Sequence, residues 1–81
     1  MKVRVQFFAQ LRDLAGVSEL TVDLAERASV ADLLAKIYEK TPALRGHDPD
    51  ILIGAGVEFV DRNYKLSAAD QIAIMPPVQG G

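Results

Sequence analysis

The chain has 81 residues, a length that suits one domain and is too short for two. Apolar residues make up 49% and charged residues 25%, which is the composition of a globular protein. The formal net charge of −2 gives no electrostatic reason to bind nucleic acid and suits a basic partner surface better. Because cysteine is absent, the chain has no disulfide, no thiolate metal site and no side-chain sulfur nucleophile.

The expected location is cytoplasmic, with no membrane partner. No apolar run approaches the roughly 20 residues of a transmembrane helix. The first residues open a strand rather than a signal peptide. With no cysteine and one histidine, most catalytic constellations cannot be assembled. The histidine, His47, lies in a polar segment where a metal site would need further ligands, so we expect it to be exposed to solvent.

The first part of the chain has the pattern of two strands around a short helical turn. Alternating apolar residues predict strands over residues 2–8 and 19–24. Between them, residues 10–15 predict one helical turn, which the glycine at position 16 closes with a left-handed cap. The apolar face of the two strands comprises Val3, Val5, Phe7, Leu20, Val22 and Leu24.

A longer helix follows. Ser29 is its predicted N-cap, and Asp32 places an acidic side chain in the first turn, where the helix dipole favours negative charge. Pro42 ends the helix, because a proline restricts the residue before it to non-helical angles. The apolar stripe of this helix comprises Val30, Leu33, Leu34 and Ile37, with Tyr38 adjoining as a packing residue.

The second half of the chain predicts short strands joined by turns. Residues 41–50 read as a surface loop, because they contain two prolines, a glycine and several polar residues. Strands are predicted over residues 51–53, 57–60 and 71–75, and turns over residues 54–56, 61–63 and 67–70. This order predicts an α+β protein of the β-grasp type, a mixed sheet of about five strands with one main helix packed on one face.

The chain closes with an unusual tail, whose residues are Pro76, Pro77, Val78, Gln79, Gly80 and Gly81. The two prolines favour an extended exit from the last strand, and the two glycines lack a Cβ that would widen the tip. We therefore expect a single domain, residues 1–81, with a flexible tail, residues 76–81, that a narrow channel could admit. A frayed terminus is the alternative, although a terminal pair of glycines arises by chance in only roughly one chain in 200.

Both ends of the chain resemble the MoaD/ThiS family of ubiquitin-like sulfur carriers, and most closely the small subunits of molybdopterin synthase. The opening that carries the resemblance is Val5-Gln6-Phe7-Phe8-Ala9-Gln10-Leu11-Arg12-Asp13-Leu14-Ala15-Gly16. The closing segment, from Ile72 to Gly81, is similar to that family's Pro-Pro-Val-x-Gly-Gly ending. The resemblance covers the whole chain. Two of its turns depart from the family pattern, at residues 54–56 and 67–70.

The resemblance implies that the carboxylate of Gly81 is the reacting group. An E1-like adenylyltransferase (MoeB-like) would adenylate it with ATP and Mg, and a sulfur donor enzyme would then convert it into a thiocarboxylate. Residues 76–81 would enter the large catalytic subunit of molybdopterin synthase (MoaE-like) and deliver sulfur to a pterin precursor during molybdenum cofactor biosynthesis. The chain itself would bind no cofactor or metal and would be no enzyme alone, in a heterotetramer with two copies of each subunit.

Phe59 and Met75 are the predicted partner interface. Strand alternation points Met75 away from the face that the helix covers, and the family places apolar docking residues at both positions. Arg12, Arg62 and Lys65 could pair with a partner, but isolated surface charges usually contribute little. Three other functions stay open: a sulfur carrier for thiamin or cysteine synthesis, a ubiquitin-like protein modifier, and an interaction domain without tail chemistry.

Overall fold

A computed structural model describes residues 1–77 of the chain. Within these residues, five strands form one sheet, accompanied by two α-helices and one 3-10 helix. None of the helices in the described part of the chain has the length and apolarity needed to cross a bilayer. In chain order the elements are β1 (Lys2–Phe7), α1 (Gln10–Ala15), β2 (Glu19–Asp23), α2 (Val30–Lys40), the 3-10 helix (Pro42–Asp50), β3 (Leu52–Ala55), β4 (Glu58–Val60) and β5 (Gln71–Met75).

The strands lie in the order β2-β1-β5-β3-β4. The first and last strands, β1 and β5, pair in parallel at the centre, and the other neighbours are antiparallel. The buried side chains of the sheet and those of α2 form one apolar core. The predicted α+β architecture, a mixed five-stranded sheet of the β-grasp type with its main helix on one face, is confirmed.

The predicted start of α2 is confirmed at the level of individual hydrogen bonds. The Ser29 hydroxyl accepts the backbone N–H of Asp32 at 3.3 Å, and the Asp32 carboxylate accepts the backbone N–H of Ser29 at 2.9 Å. This reciprocal pair satisfies two donors at the end of the helix. The backbone and side-chain hydrogen bonds from Ser29 also hold the pKa of Asp32 below its usual value.

The prediction of an irregular loop over residues 41–50 was wrong. Residues Pro42–Asp50 form a 3-10 helix that packs against α1 and α2. Its Leu44 side chain is 0% exposed, and the Leu44 N–H donates to the Thr41 carbonyl at 3.1 Å. Burial of this one apolar side chain, together with the proline at the first helical position, organises a segment whose composition resembles a loop.

The turn predicted over residues 54–56 begins two residues later in the structure, at Gly56. Gly54 and Ala55 belong to β3, and the turn that leads into β4 is formed by Gly56 and Val57. Gly56 has φ of +64°, a left-handed conformation that glycine adopts readily. The predicted turns over residues 61–63 and 67–70 are confirmed, with the Asn63 N–H bonded to the Asp61 carboxylate at 2.8 Å.

The predicted core is confirmed with one exception. Leu20 is only half-buried, because β2 is an edge strand and α2 does not fully cover it. The first two strands also end one residue earlier than predicted, at Phe7 and Asp23. The buried hydrophobic residues of the described chain are Val3, Val5, Phe7, Leu11, Val22, Leu24, Ala28, Val30, Leu33, Leu34, Ile37, Tyr38, Leu44, Ile51, Ile53, Leu66, Ile72 and Ile74.

Candidate functional site

The face of the sheet opposite α2 is open. Residues paired directly across neighbouring strands project to the same face, so one row can be followed across all five strands. That row, read from one edge of the sheet to the other, is Glu19, Gln6, Ala73, Gly54 and Phe59. Met75 lies two residues beyond Ala73 on β5 and therefore shares this face. The predicted orientation of Met75, away from the helix, is confirmed.

The open face has a polar half, formed by β2 and β1. The Lys2 ammonium lies 3.2 Å from the Asp23 carboxylate, and the Arg4 guanidinium lies 3.1 Å from the Glu19 carboxylate. All four side chains are largely exposed, so these ion pairs contribute little to stability. They keep this half of the face hydrophilic and unsuited to apolar docking.

The apolar half, formed around β5, β3 and β4, contains the candidate site. The Phe59 side chain is 71% exposed and that of Phe8 is 43% exposed, while Val57 in the turn is fully exposed. A cluster of large exposed apolar side chains is typical of a protein interface. Together these residues surround a cavity of about 210 Å³, called here the apolar recess, which is lined by Phe8, Gly54, Gly56, Val57, Glu58, Phe59, Ala73 and Met75.

The apolar recess adjoins the point where the tail leaves the sheet. The Phe8 N–H donates to the Ile74 carbonyl at 3.1 Å, which fixes the end of β1 beside the end of β5. Met75 is the last residue of β5, Pro76 is half-buried and Pro77 is exposed. The predicted tail residues Val78, Gln79, Gly80 and Gly81 lie outside the described residues, so their roles stay predictions, as do those of Pro76 and Pro77.

Sequence reasoning found Phe59 and Met75 but missed Phe8 and Val57. The signal for Phe8 was present, because Phe7 and Phe8 are adjacent and only one of two neighbouring strand residues can face the core. Val57 had no such signal, since its exposure depends on the turn falling at Gly56 rather than two residues earlier. Both residues enlarge the predicted interface around Phe59.

Arg62 was named as a residue that could pair with a partner, but its side chain is bonded to other residues of this chain. Its guanidinium donates to the backbone carbonyl of Ile51 at 3.2 Å and to that of Asp48, and it lies 3.9 Å from the Asp48 carboxylate. The buried Tyr38 hydroxyl donates to the same carboxylate, which confirms Tyr38 as a packing residue. Burial first, and then this hydrogen bond, raise the pKa of Tyr38 far above its usual value. Arg62 therefore holds the 3-10 helix in place, whereas Arg12 and Lys65 are exposed.

His47 is half-buried in the 3-10 helix rather than fully exposed as predicted. Packing of that helix against α1 and α2 explains the difference, because the sequence suggested a free loop there. Residues 1–77 hold no group of three or more side chains of the metal-binding types.

Comparison with known proteins identifies the family. A family model described as the ThiS family matches residues 5–81, which is nearly the whole chain. The chain belongs to the ThiS family. The resemblance at the two ends of the sequence is thereby confirmed, because the match includes the opening segment from Val5 and the closing glycines.

The proteins similar to this ThiS-family chain are described either as molybdopterin subunits or as protein modifiers. The molybdopterin synthase sulfur carrier subunit of Chlamydomonas reinhardtii is 37% identical over 83 residues, which cover 100% of both chains. Among solved structures, a Pyrococcus furiosus protein described as molybdopterin converting factor, subunit 1, is 31% identical with a TM-score of 0.87, covering 96% of this chain and 99% of its own. Small archaeal modifier protein 1 of Haloferax volcanii is 29% identical with a TM-score of 0.86, covering 100% of both chains.

Proposed function

We propose that this ThiS-family chain is the sulfur carrier subunit of a molybdopterin synthase and acts in molybdenum cofactor biosynthesis. The observation that carries the proposal is the full-length similarity, at 37% identity, to the Chlamydomonas reinhardtii sulfur carrier subunit. The Gly80-Gly81 ending, which falls within the family match, supplies the reacting group. The chain is the non-catalytic member of the complex, and its partners provide the catalysis.

The proposed chemistry takes place at the carboxylate of Gly81. A carboxylate is a poor electrophile, so an E1-like adenylyltransferase first joins it to the AMP portion of ATP and releases pyrophosphate. A sulfur donor enzyme then displaces AMP, which leaves a thiocarboxylate whose sulfur is nucleophilic without any cysteine in the chain. The large subunit finally uses this sulfur on the pterin precursor, and the carboxylate is restored.

The apolar recess supports the proposal because it adjoins the tail. A large subunit that covers Phe59 and Met75 also meets the end of β5, from which the tail continues. Four residues follow Pro77, and an extended chain of four residues spans at most about 14 Å. The partner's reaction pocket should therefore open within about that distance of Pro77. Binding of the large subunit to the apolar recess would then also bring Gly81 to that pocket.

Intact mass spectrometry tests the proposed function. We expect incubation with the E1-like enzyme, ATP, Mg and a sulfur donor to replace one oxygen of the chain by sulfur, and omission of ATP to leave the mass unchanged. Fragmentation should place the sulfur on Gly81. A chain whose mass never changes in the complete mixture would contradict the proposal.

A protein modifier is the second candidate, and the similarity to small archaeal modifier protein 1 favours it. A modifier uses the same adenylated carboxylate, but a lysine amine rather than a sulfur donor displaces AMP. Lysine residues of other proteins joined to Gly81, in cells that form no thiocarboxylate, would support this function. Carriers for thiamin or cysteine synthesis would form the thiocarboxylate without binding a molybdopterin synthase large subunit.

Replacement of Phe59 by alanine tests the docking surface. The side chain is 71% exposed in the free chain, so Phe59→Ala should leave the free energy of unfolding nearly unchanged. If the large subunit buries this ring, its loss should weaken the Kd by roughly tenfold to a hundredfold. Val17→Ala is the matched control, because Val17 is 45% exposed but does not line the apolar recess. Equal weakening in the two variants would contradict a specific role for Phe59.

A further inference from the structure

Gly54 lies at the centre of the apolar half of the open face. It pairs with Phe59 of β4 on one side and with Ala73 of β5 on the other, and it is buried by these neighbours. Its backbone does not require glycine, because the positive-φ glycines of the described chain are Gly16 and Gly56. Glycine inside a strand lowers stability by roughly 0.5–1 kcal/mol relative to alanine and often marks a close approach of another group. The reason for glycine here must therefore be spatial.

The space beside Gly54 is taken by Met75. A Cβ built on Gly54 would lie 3.3 Å from the terminal methyl carbon of Met75, tighter than an ordinary contact. The Ala73 Cβ and the Glu58 carbonyl oxygen, both at 3.7 Å, would be ordinary neighbours. Gly54 thus forms a notch in which the end of the Met75 side chain rests against the backbone. Met75, which rests in this notch, and Phe59 both line the apolar recess.

The size and the apolar lining of the recess restrict what can enter it. Its volume of about 210 Å³ is below the roughly 300–1,000 Å³ of pockets that hold small molecules or cofactors. Its lining consists of apolar side chains, glycines and the backbone of Glu58. The Glu58 side chain belongs to the opposite face of the sheet, because Glu58 pairs with Ala55 and Ala55 pairs with Ile72 of the core. One apolar side chain of the large subunit matches a recess of this size and lining, because the recess adjoins the strand end from which the tail continues.

We infer that Gly54 is a specificity-determining residue, whose missing side chain keeps the apolar recess open for one apolar side chain of the large subunit. This inference rests on the proposed function, since it takes the large subunit as the partner. Gly54 acts through Met75 and has no part in the tail chemistry, so it is a positioning residue for docking.

The effect of a methyl group at position 54 follows from the contact distances. Met75 is flexible, so its terminal methyl can move outward by the few tenths of an ångström that an alanine Cβ requires. The fold should tolerate the change, because alanine is otherwise the more favourable strand residue and the backbone φ is ordinary. The displaced Met75 side chain and the new methyl would narrow the apolar recess. Affinity for the partner should therefore fall while stability does not.

The test compares G54A with G46A in titration calorimetry against the large subunit from the same source. Gly46 is the matched control, since its Cβ would meet nothing within 4 Å and its φ is also ordinary. We expect G54A to weaken the Kd about tenfold and G46A to leave it within about twofold. The melting temperature of G54A should be equal to or above that of the wild type. A G54A Kd within about twofold of wild type, or a fall in melting temperature that accounts for the loss, would overturn the inference.

A comparison of M75A with the double variant M75A/G54A tests the role of Met75 in the inference. In a M75A background no long side chain occupies the notch, so adding G54A should weaken binding by less than it does in the wild type. Equal effects in both backgrounds would overturn the role of Met75.

The same proteins separate this inference from the proposed function. If the wild-type chain acquires the thiocarboxylate and binds the large subunit, but G54A binds equally well, only the role of Gly54 fails. If the wild-type chain does not bind the large subunit at all, both fail together. Thiocarboxylate formation by G54A carried to completion should match that of the wild type, because the tail is unaltered.

Discussion

Deletion of Gly81 should abolish sulfur transfer and leave the free energy of unfolding unchanged to within about 0.5 kcal/mol. Gly81 carries no side chain, and within residues 1–77 the last buried side chain is that of Ile74, so we expect the deletion to leave the core packing unchanged. The truncated chain would still end in a carboxylate, but one residue closer to β5 and therefore short of the partner's reaction pocket. Intact mass after the complete loading reaction measures the first effect, and urea denaturation measures the second.

A Gly81→Ala variant serves as the control for this deletion. It keeps the length of the tail and adds one Cβ, so it tests whether width as well as reach is restricted. We expect partial loss of loading from Gly81→Ala and complete loss from the deletion. Wild-type loading of the truncated chain would show that Gly81 is not the reacting residue and would remove the main support for a carrier.

Replacement of Leu44 by alanine should have the largest effect on folding, a loss of about 2–5 kcal/mol. Leu44 is 0% exposed and anchors the 3-10 helix to the rest of the core. The stability of a domain of this size is only about 5–15 kcal/mol, so the loss would be a large fraction of the total. Urea denaturation followed by circular dichroism measures it.

Leu14→Ala is the matched control for Leu44→Ala, because Leu14 is 38% exposed and loses little packing. Its expected cost is below about 1 kcal/mol. If Leu44→Ala were no more destabilising than Leu14→Ala, the 3-10 helix would not be part of the folding unit. The tail should be loaded with sulfur equally well in any Leu44→Ala protein that remains folded, since Leu44 is remote in sequence from residues 76–81.

The sequence alone predicted the features that depend on residues close together in the chain. Alternation placed the apolar faces of β1 and β2, and the Ser29 side chain marked the start of α2, because both signals depend on residues within a few positions of each other. The family was also recognisable, since the opening and closing segments carry its motifs. The orientation of Met75 followed from the period of a strand.

The features that depend on tertiary contacts could not be predicted from the sequence. In the sequence, Leu44 is one apolar residue within a polar segment. Its burial depends on the contacts of the 3-10 helix with α1 and α2, which the sequence does not reveal. Gly54 and Gly56 are equivalent in the sequence, but one pairs within the sheet and the other adopts the positive φ of the turn. Arg62 has the appearance of a surface charge until its hydrogen bonds to the backbone of Asp48 and Ile51 are seen.

The central position of β5 has a consequence for the newly synthesised chain. β5 pairs with both β1 and β3 and so joins the pair β1–β2 to the pair β3–β4. Until residues 71–75 leave the ribosome, these two antiparallel pairs lack the strand that connects them. Such long-range pairing forms late, because distant segments must first meet. The strand that completes the sheet is also the one that leads into the tail. An activating enzyme that recognises the finished face would therefore meet the tail only on chains that have already folded.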